Sequence, residues 1–152
     1  MIGGGNTPSS GAQARPSDLP RVLYLDSSAL VKLVRREPES EALQQCLAAW
    51  PHRVSSALVR VEVPRATARV ARDNERVIRE SVRLVAGLML VPVSDAILEA
   101  AASLPPPELR TLDAIHLASA LSLGSVLGAL VSYDDRLSTA ARTAGMHVLR
   151  PA

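Results

Sequence analysis

Four carboxylates lie where apolar runs meet helical segments along this chain. They are Asp26 in YLDSSAL, Glu62 in VRVEVPRA, Asp113 in RTLDAIHLASAL and Asp134 in VSYDDRL. Each adjoins a run that we expect in the core, so a compact α/β fold would bring the four to one edge of its sheet. Because neighbouring carboxylates repel one another, such a group is favourable only around a cation. The pattern predicts a divalent-metal hydrolase.

The expected cation is Mg²⁺ or Mn²⁺. Carboxylate oxygens are the ligands that these hard ions prefer, whereas zinc would favour Cys and His clusters that this chain does not supply. One or two ions could activate water for in-line attack on a phosphodiester and stabilise the charge that develops on the leaving oxygen. Such a reaction needs no side-chain nucleophile.

Each acid also has a structural interpretation. Asp26 could cap the helix that follows it, although Ser27 and Ser28 could serve as that N-cap instead. Glu62, which we expect about two turns into its helix, could be an ordinary solvated position.

The other two acids lie close to helix starts. Asp113 falls in the first turn of a helix that we expect Thr111 to cap, where the helix macrodipole favours an acid in any case. Asp134 and Asp135 could form the turn after a strand. We assign Asp134 to the site and Asp135 to the helix cap.

Five short runs, four of them mainly apolar and the fifth the segment RVSS, alternate with helical segments and would position these acids. The predicted strands are 21–26, 53–56, 88–93, 129–133 and 146–150. Strands that alternate with helices form a mostly parallel sheet between helical layers. The sequence therefore predicts an α/β fold, in which ligands bind beyond the carboxyl ends of the strands.

Length and composition fit one domain. A chain of 152 residues is long enough for a single core. We expect residues 1–20 to be a disordered leader and residues 21–152 to form the domain. The one cysteine, Cys46, cannot form an internal disulfide, and no apolar stretch reaches the roughly 18 residues that span a bilayer. We expect a cytoplasmic protein that is not bound to a membrane.

The charged residues favour a phosphate partner. Without the four proposed site acids, 17 basic residues face 11 acidic ones, and all the basic residues but Lys32 are Arg. The planar Arg fork binds two phosphate oxygens at once. Six arginines would form one stripe on a continuous helix, and this stripe could contact RNA or a protein partner, or could simply be solvated. They are Arg65, Arg69, Arg72, Arg76, Arg79 and Arg83.

The motifs DSSALVKL, SSALVRVEVPRA, LRTLDAIHLASAL and VSYDDRLSTAARTAGMHVL resemble those of the PIN-domain family, and most closely its VapC-type toxins. The resemblance runs from about residue 21 to the C-terminus. It implies a three-layer α/β/α sandwich and a Mg²⁺-dependent ribonuclease. It also implies a homodimer that a cognate VapB-type antitoxin neutralises in a hetero-oligomer.

The resemblance assigns the family's acidic metal site to Asp26, Glu62, Asp113 and Asp134. It places Ser27 and Ser132 beside this site as hydrogen-bonding support. His116 lies one helical turn beyond Asp113. It could order a water or touch substrate, but we favour a packed core histidine.

Three other functions are alternatives to RNA cleavage. A phospho-receiver domain would need a basic residue from a late strand, but Lys32 lies in the first helix. A haloacid-dehalogenase-like phosphatase would need a second Asp two residues after Asp26, where Ser28 stands. The remaining alternative is a PIN-like module that binds RNA or a partner without cutting it, but this chain keeps all four acids.

Overall fold

The computed structural model of this protein describes residues 21–71 and 74–152. Five strands form its sheet: β1 (Val22–Leu25), β2 (Arg53–Ser56), β3 (Met89–Val91), β4 (Leu127–Val131) and β5 (Val148–Leu149). Seven α-helices lie in the described residues: α1 (Ser27–Val34), α2 (Ser40–Ala48), α3 (Val59–Ala71), α4 (Glu75–Ala86), α5 (Asp95–Ala102), α6 (Thr111–Leu121) and α7 (Asp135–Thr143). The predicted leader, residues 1–20, lies outside the described residues.

The sheet is parallel throughout, with strand order β3-β2-β1-β4-β5. The central strand β1 buries all four of its residues. Leu23 and Leu25 pack on one face, while Val22 and Tyr24 pack on the other, as the two-residue period of a strand requires. Helices cover both faces, so the sheet needs apolar side chains on each side.

The two helical layers have separate cores. Leu23 and Leu25 pack with Leu30, Leu43 and Val63, which come from α1, α2 and α3. On the opposite face, residues of α6 and α7 pack against the sheet, and α5 packs against α6. The predicted α/β fold with three layers is confirmed.

The order in which the chain adds strands to the sheet reverses between β1 and β4. The chain proceeds from β1 to β2 and β3 on one side, and then returns to place β4 and β5 on the other. Open α/β sheets bind ligands beyond the carboxyl ends of the strands at this kind of reversal. Asp26 directly follows β1, and Ser132 directly follows β4, so both lie at this crevice.

The predicted arginine stripe is divided between two helices. Arg65 and Arg69 lie on α3, which ends at Ala71, whereas Arg76 and Arg79 lie on the separate helix α4. Asn74 caps α4 by accepting a hydrogen bond from the Val77 N–H. The single arginine stripe was predicted only for one continuous helix, and α3 and α4 are two separate helices.

Arg83 lies far from the strand ends that carry the acids. It lines a pocket with His52 and Arg53 at the amino end of β2. Arg72 lies outside the described residues. In the part of the chain that the structure covers, no helix is long and apolar enough to cross a membrane.

Candidate metal centre

Asp26 is a buried carboxylate held by three hydrogen bonds. It is 2% exposed. Its Oδ1 accepts from the Ala29 N–H at 2.9 Å and from the Ser28 hydroxyl at 2.7 Å, while its Oδ2 accepts from the Ser132 hydroxyl. Asp26 is thus the N-cap of α1, and the expectation that Ser27 or Ser28 caps this helix was wrong. The extended backbone at Asp26 lets its side chain reach the Ala29 N–H, which no residue within the helix can do.

The same hydrogen bonds tie the β1–α1 corner to the loop after β4. The Tyr133 N–H donates to the Ser28 hydroxyl at 2.8 Å, and the Asp134 N–H donates to the Ser132 hydroxyl at 3.1 Å. Each serine therefore links Asp26 to the backbone of that loop. This network places Asp134 beside Asp26, although 108 positions separate them in the sequence.

Asp134 caps helix α7, which corrects the expectation that Asp135 would do so. Its Oδ1 accepts from the Arg136 and Leu137 N–H groups at 2.8 and 3.0 Å. Asp135 is the first helical residue, its side chain is 85% exposed, and it pairs with Arg150. Strand β4 ends earlier than expected, so Asp134 follows it after two intervening residues.

Asp113 has a different environment from the other acids. It lies in the first turn of α6, and its Oδ2 is buried without a hydrogen-bond partner. Burial raises the pKa of this carboxyl, and the charges of Asp134 and Asp26 raise it further, while Arg110 lowers it. Capping does not explain Asp113. Arg110 occupies the N-cap position without a side-chain bond, and the expected cap Thr111 is a helical residue.

Glu62 lies in the first turn of α3, earlier in its helix than expected. Its Oε2 lies 2.7 Å from Nε2 of His116. Nδ1 of the same ring lies 2.8 Å from the Tyr24 hydroxyl. His116 is 2% exposed, as expected for a core histidine, but both of its nitrogens have polar partners. Tyr24 was not predicted as a site residue, and its only signal in the sequence was an aromatic residue within an aliphatic strand.

The four acids share one edge of the sheet, but most of them face separate donors. Within residues 21–71 and 74–152, no three Asp, Glu, His or Cys side chains lie in an arrangement that could already hold a metal ion. Asp26 faces its serines, Asp134 faces the α7 backbone, and Glu62 faces His116. Asp113 remains, with a buried oxygen that no donor satisfies. A cation is the partner that such an oxygen lacks, so the residues fit a metal.

A groove of about 500 Å³ opens beside Glu62. Ser27, Ser28 and Lys32 of α1 form one wall, and Arg65 and Arg69 of α3 form part of the other. The groove therefore combines the site edge with two exposed cations.

Comparison with known proteins agrees with this fold. The family model described as "PIN domain" matches residues 23–143. Ribonuclease VapC46 of Mycobacterium tuberculosis is 51% identical over 130 residues, which cover 86% of this chain and 98% of that protein. Ribonuclease VapC35 of the same species is 41% identical, and the match covers 86% of this chain and 97% of that protein. The chain belongs to the PIN-domain family and, within it, to the VapC proteins.

A solved structure shows the same architecture. The crystal structure of Mycobacterium tuberculosis VapC20, described as a Sarcin-Ricin loop cleaving toxin, matches with a TM-score of 0.66. The match covers 85% of this chain and 99% of VapC20, at 19% sequence identity. At that identity the likeness concerns the fold. The predicted family and fold class are thus both confirmed.

Proposed function

We propose that this chain is a Mg²⁺- or Mn²⁺-dependent endoribonuclease and the toxin of a VapBC-type toxin–antitoxin pair. The observation that carries the proposal is the buried, unpartnered oxygen of Asp113 beside the charges of Asp134 and Asp26. The names of the relatives, which are ribonucleases, support RNA as the substrate. Asp26 and Asp113 are the proposed main ligands, and Glu62 and Asp134 are the further site acids.

The bound cation would supply an activated water and stabilise the leaving oxygen. The chain's own residues prepare the site for it. Ser28 and Ser132 fix both oxygens of Asp26, and the cap bonds of Asp134 fix its Oδ1. Residues whose rotamers are already held lose little further freedom when they bind a cation.

The test of this function is RNA cleavage by the purified chain. We expect cleavage with Mg²⁺ or Mn²⁺, none with a chelator, and loss of cleavage in Asp113→Asn and Asp26→Asn, because each change removes a ligand charge with little change of shape. Asp135→Asn is the matched control. Its carboxylate is exposed and paired with Arg150, so this variant should retain most activity.

Two results would contradict the proposal. Undiminished cleavage by Asp113→Asn in the presence of a chelator would exclude the metal mechanism. RNA binding without any cleaved product, at every metal concentration, would instead support the alternative of a non-cleaving PIN-like module. If Asp135 proves essential and Asp134 dispensable, the assignment of the fourth acid is wrong.

Arg65 and Arg69 are proposed to contact RNA phosphates, because both line the groove beside Glu62. Arg69→Gln should weaken RNA binding across sequences and reduce its log–log salt slope by roughly 0.7 to 1 per lost contact. Arg83→Gln is the control, since Arg83 lies at the amino end of β2. Unchanged RNA binding with lost antitoxin binding would assign the groove to the protein partner.

The proposed antitoxin follows from the acidic site. An Arg of its C-terminal segment, near Asp26, Glu62 and Asp113, would pair with two carboxylates and stay charged when desolvated. We expect the chain to be toxic when expressed alone and silent with its antitoxin, with inhibition that weakens as Mg²⁺ rises. Light scattering should give a homodimer and a larger toxin–antitoxin complex. Harmless expression of the folded wild-type chain would contradict the toxin assignment.

A further inference from the structure

His116 is buried in the interior, unlike the other two histidines of the chain. It is 2% exposed, whereas His52 and His147 are exposed. Both of its ring nitrogens have partners, Tyr24 at 2.8 Å and Glu62 at 2.7 Å. An aliphatic residue would fill the same volume without the cost of desolvating two polar nitrogens. Packing alone therefore does not explain why a histidine with two polar contacts occupies this position.

The chemistry of Glu62 fixes the direction of one of the two bonds. An ionised carboxylate can only accept, so Nε2 of His116 carries a proton and donates to Oε2 of Glu62. In the neutral ring, Nδ1 is then an acceptor, and the Tyr24 hydroxyl donates to it. Tyr24 is fully buried in β1, so its hydroxyl is held in place beside the ring. The ring is held from one side and directs its N–H toward the other.

These bonds connect the two helical layers at the edge of the sheet. Glu62 belongs to α3, whose Val63 packs in the core of one layer, whereas His116 belongs to α6 in the other layer. Asp113 precedes His116 by three residues and so lies on the same face of α6. A carboxylate bound to His116 consequently lies on the side of α6 that also carries Asp113.

We infer that His116 is a positioning residue: it holds Oε2 of Glu62 so that Oε1 is available to a cation shared with Asp113, while Tyr24 fixes the orientation of its ring. This inference rests on the proposed metal-dependent function. It assigns His116 no contact with RNA or with the reacting atoms. Hydrogen-bond partners of metal ligands typically contribute 10- to 100-fold in metal affinity or activity.

The first measurement is Mn²⁺ binding by calorimetry to the full chain without RNA. His116→Leu should weaken the affinity by about 10- to 100-fold. His116→Gln, whose amide can donate from near the position of Nε2, should restore most of it. Tyr24→Phe keeps the aromatic ring in the core and should cause a smaller loss than His116→Leu. His147→Leu, which changes an exposed histidine, should bind Mn²⁺ like wild type.

The second measurement is cleavage as a function of Mn²⁺ concentration. His116→Leu should shift half-saturation to higher Mn²⁺ by the same factor as the affinity. In a Glu62→Gln background, His116→Leu should cause little further loss, because the carboxylate that it positions is already gone. If His116→Leu does not fold, His116→Gln and Tyr24→Phe take its place in the test, because both keep the core volume. His116→Gln should retain most of the Mn²⁺ affinity, and Tyr24→Phe should reduce it.

The outcomes separate this inference from the proposed function. A folded His116→Leu variant with wild-type Mn²⁺ affinity would leave His116 as a packing residue and overturn the inference alone. Losses that add fully in the Glu62→Gln background would also overturn it, because His116 would then act independently of Glu62. A wild-type chain that neither binds Mn²⁺ nor cleaves RNA would overturn the proposed function, and the inference with it.

Discussion

The β1–α1 corner and the start of α6 each place an acid at the same edge of the sheet, but the fold uses the two acids in opposite ways. Asp26 caps its helix and accepts from Ser28, Ala29 and Ser132. Asp113 caps nothing and keeps a buried oxygen without a partner. A position at a helix start therefore does not by itself reveal the role of an acid. Its hydrogen bonds distinguish a carboxylate that stabilises the fold, such as Asp26, from one with an oxygen that no donor of the fold satisfies, such as Asp113.

The pKa values show the same contrast. Burial raises the pKa of both carboxyls. At Asp26, the hydrogen bonds from Ser132, Ser28 and Ala29 oppose this rise. At Asp113, the charges of Asp134 and Asp26 add to it. The charged form is thus penalised at both sites, but hydrogen bonds offset part of the penalty at Asp26, whereas like charges add to it at Asp113. A cation would reduce the penalty at Asp113.

The largest predicted difference is in metal-free stability. Asp26→Ala should lower the free energy of unfolding by about 3 kcal/mol, because it removes an N-cap and the acceptor of two hydroxyls. Asp113→Ala should stay within about 0.5 kcal/mol of wild type, or exceed it, since the relief of burial and repulsion offsets the lost macrodipole benefit. Urea unfolding in the presence of a chelator measures both. A larger loss at Asp113 than at Asp26 would reverse the comparison.

Metal should stabilise the wild-type chain by binding to Asp113, whose buried oxygen has no hydrogen-bond partner. At about 100 times its dissociation constant, a cation should add roughly 2.7 kcal/mol to the free energy of unfolding. Asp113→Asn should gain much less at the same concentration, whereas Asp135→Asn should gain as much as wild type. Thermal unfolding with and without Mn²⁺ provides the measurement. Equal gains in all three proteins would show that the ion binds elsewhere.

The sequence predicted the elements of the fold but not all the contacts between them. The five strands were predictable because each is a short run, mostly apolar except in β2, between helical patterns. The caps were assigned to Ser27 or Ser28, Thr111 and Asp135, but the observed N-cap positions are Asp26, Arg110 and Asp134. Cap identity depends on where the extended backbone ends, and one residue of difference changes which side chain reaches the free N–H groups.

The contacts around His116 could not be predicted from local patterns. Its partners lie 92 and 54 residues away, and no sequence period relates positions so far apart. The placement of His116 one turn after Asp113 was visible in the sequence. The His116 ring links Tyr24 to Glu62, and this link could be seen only in the three-dimensional fold, because α3 and α6 belong to different layers.

Two buried serines provide a smaller test of the β1–α1 corner. Ser132 donates to Asp26, whereas the Ser138 hydroxyl is buried without a partner. Ser132→Ala should cost about 1.5 to 3 kcal/mol, the usual contribution of a hydrogen bond to a charged group. Ser138→Ala should be neutral or stabilising, because it removes an unsatisfied polar group from the interior. Equal losses in the two variants would indicate that the Asp26 network adds no stability beyond packing.

The smallest predicted effect is the pH dependence that Asp113 adds to metal-free stability. A carboxyl whose pKa is raised by folding keeps its proton to higher pH in the folded chain than in the unfolded chain. Its stabilising contribution is therefore complete below the ordinary value of 3.8 and is lost as the pH rises through the raised folded pKa. The stability of Asp113→Asn relative to wild type should accordingly increase as the pH rises above this ordinary value, and it should level off above the raised folded pKa. Urea unfolding across this range, with Asp135→Asn as the control that follows wild type, measures the difference. A difference that shrinks as the pH rises would mean that the fold stabilises the charged form of Asp113, contrary to the raised pKa.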